Sequence, residues 1–218
     1  MAPDPVTQAR IYEAVKEDYL AGLLRPGARI EIQTLADRHR ASTTPIREVL
    51  HKLEGERLIE PRPEGGFRIA MPDASRLSHI YDWNLNVLSG AIHLSGGGAL
   101  REATRPFRDL NSTRSPIALA NRTATLFAAI CRASANAEFV DQIVSLNERL
   151  HYVRIGEAQL FADADLELHR IALNGTIDMK RALGGRLRRY HDQRVRHCAE
   201  ILAATSELTP GLLSVHPD

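Results

Sequence analysis

Cysteine is scarce. The 218 residues hold two, Cys131 and Cys198, which share no Cys-x-x-Cys or Cys/His spacing, so neither a disulfide framework nor a thiolate metal site is expected. Aromatic residues make up only 5% of the chain, which weighs against a β-sandwich or barrel. Nowhere do about 18 apolar residues run together, and the opening "APDPVTQAR" lacks the apolar centre of a secretion signal. The expectation is a soluble cytoplasmic protein with no membrane partner. No charge of one sign dominates either: 28 Lys and Arg face 27 Asp and Glu, so bulk charge selects no partner and local charge must.

What the chain does have is Leu, Ala and Ile at spacings of three and four, which predicts a mainly helical protein with ample length for a buried core. No internal repeat is seen, and "SGGGA" at 95–99 reads as a helix break.

Over the first seventy residues, Ile11, Val15, Leu20, Leu23 and Leu24 predict an amphipathic helix from Val6 to Leu24, stopped by "RPG" at 25–27. After an extended "RIEI", the run "QTLADRHR" predicts a short helix, and the next begins within a few residues, as in a helix-turn-helix. Thr44 is placed as the N-cap and Pro45 at the first helical position, with Ile46, Val49, Leu50 and Leu53 buried and Arg47, His51 and Glu54 on other faces. "LIEPR" and "GFRIA" then alternate as short strands around "PEGG", whose Gly65 and Gly66 suit a tight hairpin. The order helix, turn, helix, hairpin describes a winged helix.

Such a unit lays its second helix in the DNA major groove, N-terminal residues toward the base edges. Ser42, Thr43, Thr44 and Arg47 stand there. Arg47 is assigned to base readout, because a guanidinium matches guanine O6 and N7. The hydroxyl residues, Gln33 and the Gly65–Gly66 tip are assigned to positioning on the DNA backbone. Residues 25–52 carry six Lys or Arg against three Asp or Glu, while residues 1–70 balance at eleven each. A protein-docking module of the same shape is the alternative from pattern alone.

Residues 11–70, through "LRPGARIEI" and "STTPIREVLHKLEGERLIE", resemble the winged-helix domain of the GntR family of bacterial transcription regulators. The resemblance implies DNA binding. The family often has Arg where this chain has Thr43, and a Leu-Gly-Val turn where it has His39, Arg40 and Ala41, so a different operator sequence is expected.

Beyond a linker, "MPDASRLS", with Asp73 or Ser75 as N-cap, helical patterns run over 76–94, 99–110, 116–134, 137–155, 159–174 and 177–204, with "RDLNSTRSP" as loop. The expected domains are 1–72 for DNA, 76–206 as a helical bundle and 207–218 as a tail. The bundle is similar, in helix order and in "ASANAEFVDQIVSLNERL", to the FCD effector domain of the FadR subfamily. That resemblance implies a homodimer on a pseudo-palindromic operator, responding to a small-molecule metabolite. It also implies a divalent metal, zinc or nickel, held by an Asp, a His four residues later and two further His. His169 and His191 match the last two, but Thr123 and Phe127 stand at the first two, so half the ligand set is gone. His151, Asp163, Asp165 and Glu167 are the nearby residues available to assist. The expectation is a metal-free effector pocket with His169 and His191 as hydrogen-bonding groups, or as plain structural histidines. Two subfamily positions that often carry Arg and Glu are Asn84 and Ser89 here, which favours a more neutral or aromatic ligand. Of the seven Lys and Arg in 180–196, Arg188 is assigned inward from its spacing to His191. An enzyme is not expected, since no nucleophile or acid/base pair accompanies the histidines. A ligand-independent DNA-binding protein whose bundle only dimerises is the alternative.

Overall fold

The computed structural model describes residues 5–109, 115–173 and 178–208. It is mainly helical and divides into two compact units, one containing the chain up to Met71 and the other spanning Pro72–Glu207. No described helix is long and apolar enough to cross a membrane.

The first unit is a winged helix: α1 (Pro5–Leu20), α2 (Ile32–Arg38), α3 (Thr43–Gly55), and the antiparallel strands β1 (Ile59–Pro61) and β2 (Phe67–Ile69). Its core is Ile11, Val15 and Tyr19 from α1, Leu35 from α2, and Ile46, Val49, Leu50 and Leu53 from α3, closed by Leu58, Ile59 and Ile69. The expected α3 stripe is therefore the one buried. Helix α1 ends earlier than the "RPG" signal suggested. Gly22 takes a left-handed φ of 73°, and Leu23 N–H bonds back to the Asp18 carbonyl at 3.0 Å, closing the helix at Leu20. Leu23, cut off from the helical phase, is 50% exposed.

Helix α3 also starts two residues before the sequence placed it. Ser42, extended at φ −79° and ψ 166°, is the N-cap residue, so Thr44 lies inside the helix and Pro45 is its third residue. Proline is tolerated there because the first-turn amides have no intrahelical acceptor. The α2–α3 turn closes as α1 does: Ala41 N–H bonds to the Ala36 carbonyl at 2.9 Å while Arg40 adopts φ 50°, a left-handed angle on a residue with a Cβ.

The second unit is all helix: α4 (Ala74–Leu94), α5 (Gly97–Thr104) followed by a 3-10 turn (Arg105–Phe107), α6 (Pro116–Arg132), α7 (Ala137–Arg149), α8 (His151–Leu160), α9 (Ala164–Ala172), α10 (Met179–Arg196) and α11 (Cys198–Ser206). Asp73 caps α4 by accepting from Arg76 N–H at 2.7 Å. The glycine run breaks the chain where expected, with Gly96 as the N-cap residue of α5. Two predicted helices are each two: 137–155 turns at Leu150, and 177–204 breaks at His197, where φ is −116° and ψ 25°. Most of the predicted "RDLNSTRSP" loop and of the tail lie outside the described residues.

Candidate nucleic-acid interface and helical core

The surface of α3 is built by exclusion. Burying Ile46, Val49, Leu50 and Leu53 turns Arg47 outward at the first turn, beside exposed Ser42 and Thr44 and half-buried Thr43. Arg47 makes no ion pair or hydrogen bond with any described residue. The first amides of α3 lack side-chain caps and remain donors for an anion such as a phosphate oxygen. Arg40 is also exposed and unpaired among the described residues.

The other assigned positions divide. Gln33 is exposed, and its amide donates to Asp37 Oδ1 at 2.8 Å, one turn along α2. Gly65 and Gly66 stand at the wing tip at φ 87° and 82°, angles that a Cβ disfavours. Gly65 N–H bonds to Arg62 O at 2.9 Å, and Arg62 N–H to Gly66 O at 3.0 Å, with Pro63 second in the turn. A Cβ on Gly66 would also meet Arg29 Nε at 3.2 Å. The wing is tied to the body by Ile30 N–H, which bonds to Phe67 O at 2.8 Å. The wing's own cations are committed: Arg68 to Glu60 at 2.7 Å, directly across the strands, and Arg62 to Glu64 at 3.4 Å. Local cation excess is thus concentrated on the helix-turn-helix face.

The profile described as "Bacterial regulatory proteins, gntR family" matches residues 7–69, which is this winged helix from α1 to β2. Residues 7–69 are thus similar to the domain that defines that family. The HTH-type transcriptional repressor GlaR of Escherichia coli K12 is 27% identical over 90 residues, which is 41% of this chain and 41% of that protein. Among solved structures, a putative GntR transcriptional regulator from Rhodococcus sp. RHA1 superposes with a TM-score of 0.74 at 15% identity, over 88% of this chain and 97% of that one. E. coli McbR/YncC gives 0.66 at 19% identity, over 91% and 98%. At such identities these likenesses show a shared fold, and they extend it from the GntR-type domain through the helical unit.

In the helical unit the structure engages most of the sequence-assigned residues in packing and hydrogen bonds. His191 on α10 is buried at 1% exposure; its Nδ1 lies 2.7 Å from Leu187 O, and its Nε2 2.9 Å from Asn84 Oδ1 on α4. Burial pushes its pKa down to about 3, against the Leu187 carbonyl, which favours the charged ring, and with the help of nearby Arg154 and Arg194. A neutral ring donating from Nδ1 accepts at Nε2, a need that rotation of the Asn84 amide would meet with its otherwise unpartnered NH2 group. Phe127 stacks on the same imidazole, with centroids 5.8 Å apart. Thr123 donates its hydroxyl to Leu119 O one turn back at 2.9 Å. His169 on α9 is half-buried, and its Nδ1 has no hydrogen-bond partner among the described residues.

These residues do not fit the divalent metal that the subfamily resemblance implied. Phe127 fills one ligand position with an aromatic ring, the Thr123 hydroxyl is turned to its own helix, and His191 has both nitrogens engaged. Among the described residues no group of three or more His, Cys, Asp and Glu gathers for a metal.

Arg188 is exposed, contrary to its inward assignment. The inward arginine of α10 is Arg194, at 1% exposure. It donates to Glu157 Oε2 at 2.9 Å and pairs with Glu167 at 2.7 Å, while lying 3.5 Å from the Tyr190 ring centroid. Glu157 on α8 also accepts from Tyr190 at 3.1 Å and from Tyr81. Burial raises the Tyr81 and Tyr190 hydroxyl pKa values, so both stay protonated as donors. A second buried arginine, Arg154, lies near this network. None of Arg154, Glu157 and Arg194 was singled out from the sequence. The signal was present for Arg194: Leu183, Leu187, Tyr190, His191 and Arg194 form one stripe at helical spacing, off which Arg188 falls.

Proposed function

We propose that this protein is a cytoplasmic, dimeric transcription regulator that reads a pseudo-palindromic operator with α3 and answers to a small molecule taken up by its helical unit. The observation that carries the reading is the outward, unpaired Arg47 beside Ser42 and Thr44 on the second helix of a GntR-family winged helix. Two such heads related by a two-fold axis read half-sites about one helical turn apart or multiples of it. The neutral Asn84–His191–Phe127 cluster suits a small organic effector better than a metal. Repression fits the transcriptional repressor GlaR, and if an effector relieves it, thermodynamic linkage requires that DNA and effector weaken each other equally.

The test is selection of bound duplexes from a random double-stranded library by the full chain, followed by affinity measurements over a salt series. Enrichment of an inverted repeat, with affinity falling steeply as salt rises, is expected. A pool without an inverted repeat would refute the reading.

A further inference from the structure

The α2–α3 turn sets a residue with a side chain where glycine is at ease. Helix α2 closes by two bonds, Arg40 N–H to Asp37 O at 3.3 Å and Ala41 N–H to Ala36 O at 2.9 Å, a closure that requires a left-handed residue at position 40. Glycine takes such a φ freely, while a Cβ is crowded there. Arg40 returns nothing to the fold in exchange: its side chain is exposed and makes no ion pair or hydrogen bond with any described residue. Strain held without an internal gain points to a contact outside the chain.

Strain alone does not single Arg40 out, because Arg57, exposed at φ 63°, closes the other end of α3 in the same way. Place and support distinguish the two. Arg40 lies two residues before Ser42, on the end of α3 that exposes Ser42, Thr44 and Arg47, whereas Arg57 lies past the opposite end. The residues just before Arg40 are also fastened to α1. Among the described residues up to Met71 the one buried charge is Asp18, at 8% exposure. Its carboxylate accepts from Arg38 Nη1 at 3.2 Å and lies 3.0 Å from His39 Nε2, while its backbone carbonyl accepts from Leu23 N–H at 3.0 Å. A carboxylate leaves water only where partners replace its hydration, and here the partners are the last residue of α2 and its C-cap. The turn is thus anchored from behind while the Arg40 guanidinium stays free.

A cation in the turn before a reading helix stands at the rim of the groove, where the groups within reach are backbone phosphates and not base edges. We propose that Arg40 binds a DNA phosphate at the edge of each half-site, and that Asp18 is the residue that positions it. The inference deepens the operator reading above and rests on it.

The experiment measures binding of the full chain to the selected duplex and to a duplex of unrelated sequence, by fluorescence anisotropy over a salt series. Arg40→Gln keeps the crowded backbone and drops the charge. With one contact per half-site it lowers the slope of log K against log salt by about 0.9 per protomer, a loss of about eightfold per protomer at about 0.1 M relative to about 1 M salt, alike on both duplexes. Arg40→Lys keeps the slope, because a phosphate can be met by charge alone. Arg57→Gln, the same change in the same kind of turn, leaves it unaltered. Asp18→Asn removes a negative charge, which by itself strengthens binding to DNA, yet it lowers the slope as Arg40→Gln does and adds nothing in the Arg40→Gln background. If Asp18→Asn fails to fold, His39→Gln, which releases one of the two side-chain ties, takes its place in the same cycle.

A slope unchanged by Arg40→Gln, or lowered equally by Arg57→Gln, overturns the role of Arg40. Tighter binding by Asp18→Asn, or a loss that adds to that of Arg40→Gln, overturns the role of Asp18. The two readings fail separately. A protein that selects an inverted repeat but binds it without regard to Arg40 loses only this inference, while Arg40-dependent binding to DNA without a selected repeat removes only the operator reading.

Discussion

On the winged helix, Arg40 and Arg47 stand in solvent without partners among the described residues, whereas in the helical unit Arg154 and Arg194 are buried at 3% and 1% exposure. The same side chain thus does two kinds of work. In solvent a guanidinium is cheap to keep unpaired and free to meet phosphate or guanine. Inside the bundle it is tolerated only with a counter-charge and a full set of acceptors. Arg194 has them, held between Glu157 and Glu167; Arg154 makes no ion pair with a described carboxylate and donates to the Asn147 amide. The difference teaches where to look for ligands: on the head, at whatever is exposed and unpaired, and in the bundle, at whatever is buried and unpaired.

The most severe way to break the comparison is Arg194→Met. It leaves the Glu157 carboxylate buried with only tyrosine hydroxyls and should cost about 3–5 kcal/mol in the helical unit, read as the urea midpoint of its unfolding. A loss below 1 kcal/mol would mean that the network is replaceable. Protons probe the same core. His191 is neutral in the fold with a pKa of about 3, while the unfolded chain takes up its proton near 6.5. Its contribution to stability is therefore complete above pH 6.5 and is lost progressively as pH falls from there toward 3. His191→Gln should flatten the dependence of unfolding free energy on pH within that window, and an unchanged slope would place the titration elsewhere.

On the head the expected effects are smaller and fall on binding. Arg47→Ala should remove about 1–3 kcal/mol of discrimination at one base pair of each half-site, measured by competition between operator variants, with folding unchanged within about 0.5 kcal/mol. Equal loss on every sequence would make Arg47 a phosphate contact instead. Arg40→Gly separates strain from charge. Glycine accepts the φ of 50° freely and should stabilise the head by up to about 1 kcal/mol, yet weaken DNA binding in a manner that fades as salt rises.

The head was largely legible in the sequence because its signals are local. The α3 stripe, the Gly65–Gly66 turn and the strands each depend on neighbours in the chain. The errors there, Thr44 for Ser42 as cap and "RPG" for Gly22 as stop, shifted boundaries by a few residues without turning α3 over. The bundle was legible as helices but not as a site. Leu150 and His197 end helices with neither glycine nor proline to mark the turn, so Arg154 was read at the end of a helix rather than near the start of one. Glu157 finds Tyr81, Tyr190 and Arg194 across separations of 76, 33 and 37 residues, and no spacing in a single segment encodes such a meeting. Burial, set by the packing of several helices together, decides which of many arginines matters.

Arg188 gives the smallest effect and the sharpest control on that statement. It is three residues from His191, in the most basic stretch of the chain, and sequence spacing alone turned it inward. On an α-helix, however, the face is set by the whole stripe, and Leu183, Leu187, Tyr190, His191 and Arg194 already occupy the inner one. Arg188 therefore lies on the solvent side with its charge hydrated. Arg188→Ala should change the stability of the bundle, read as the urea midpoint of its unfolding, by no more than about 0.5 kcal/mol. A loss above about 1 kcal/mol would mean that Arg188 packs against the bundle after all, and that the stripe does not set the face.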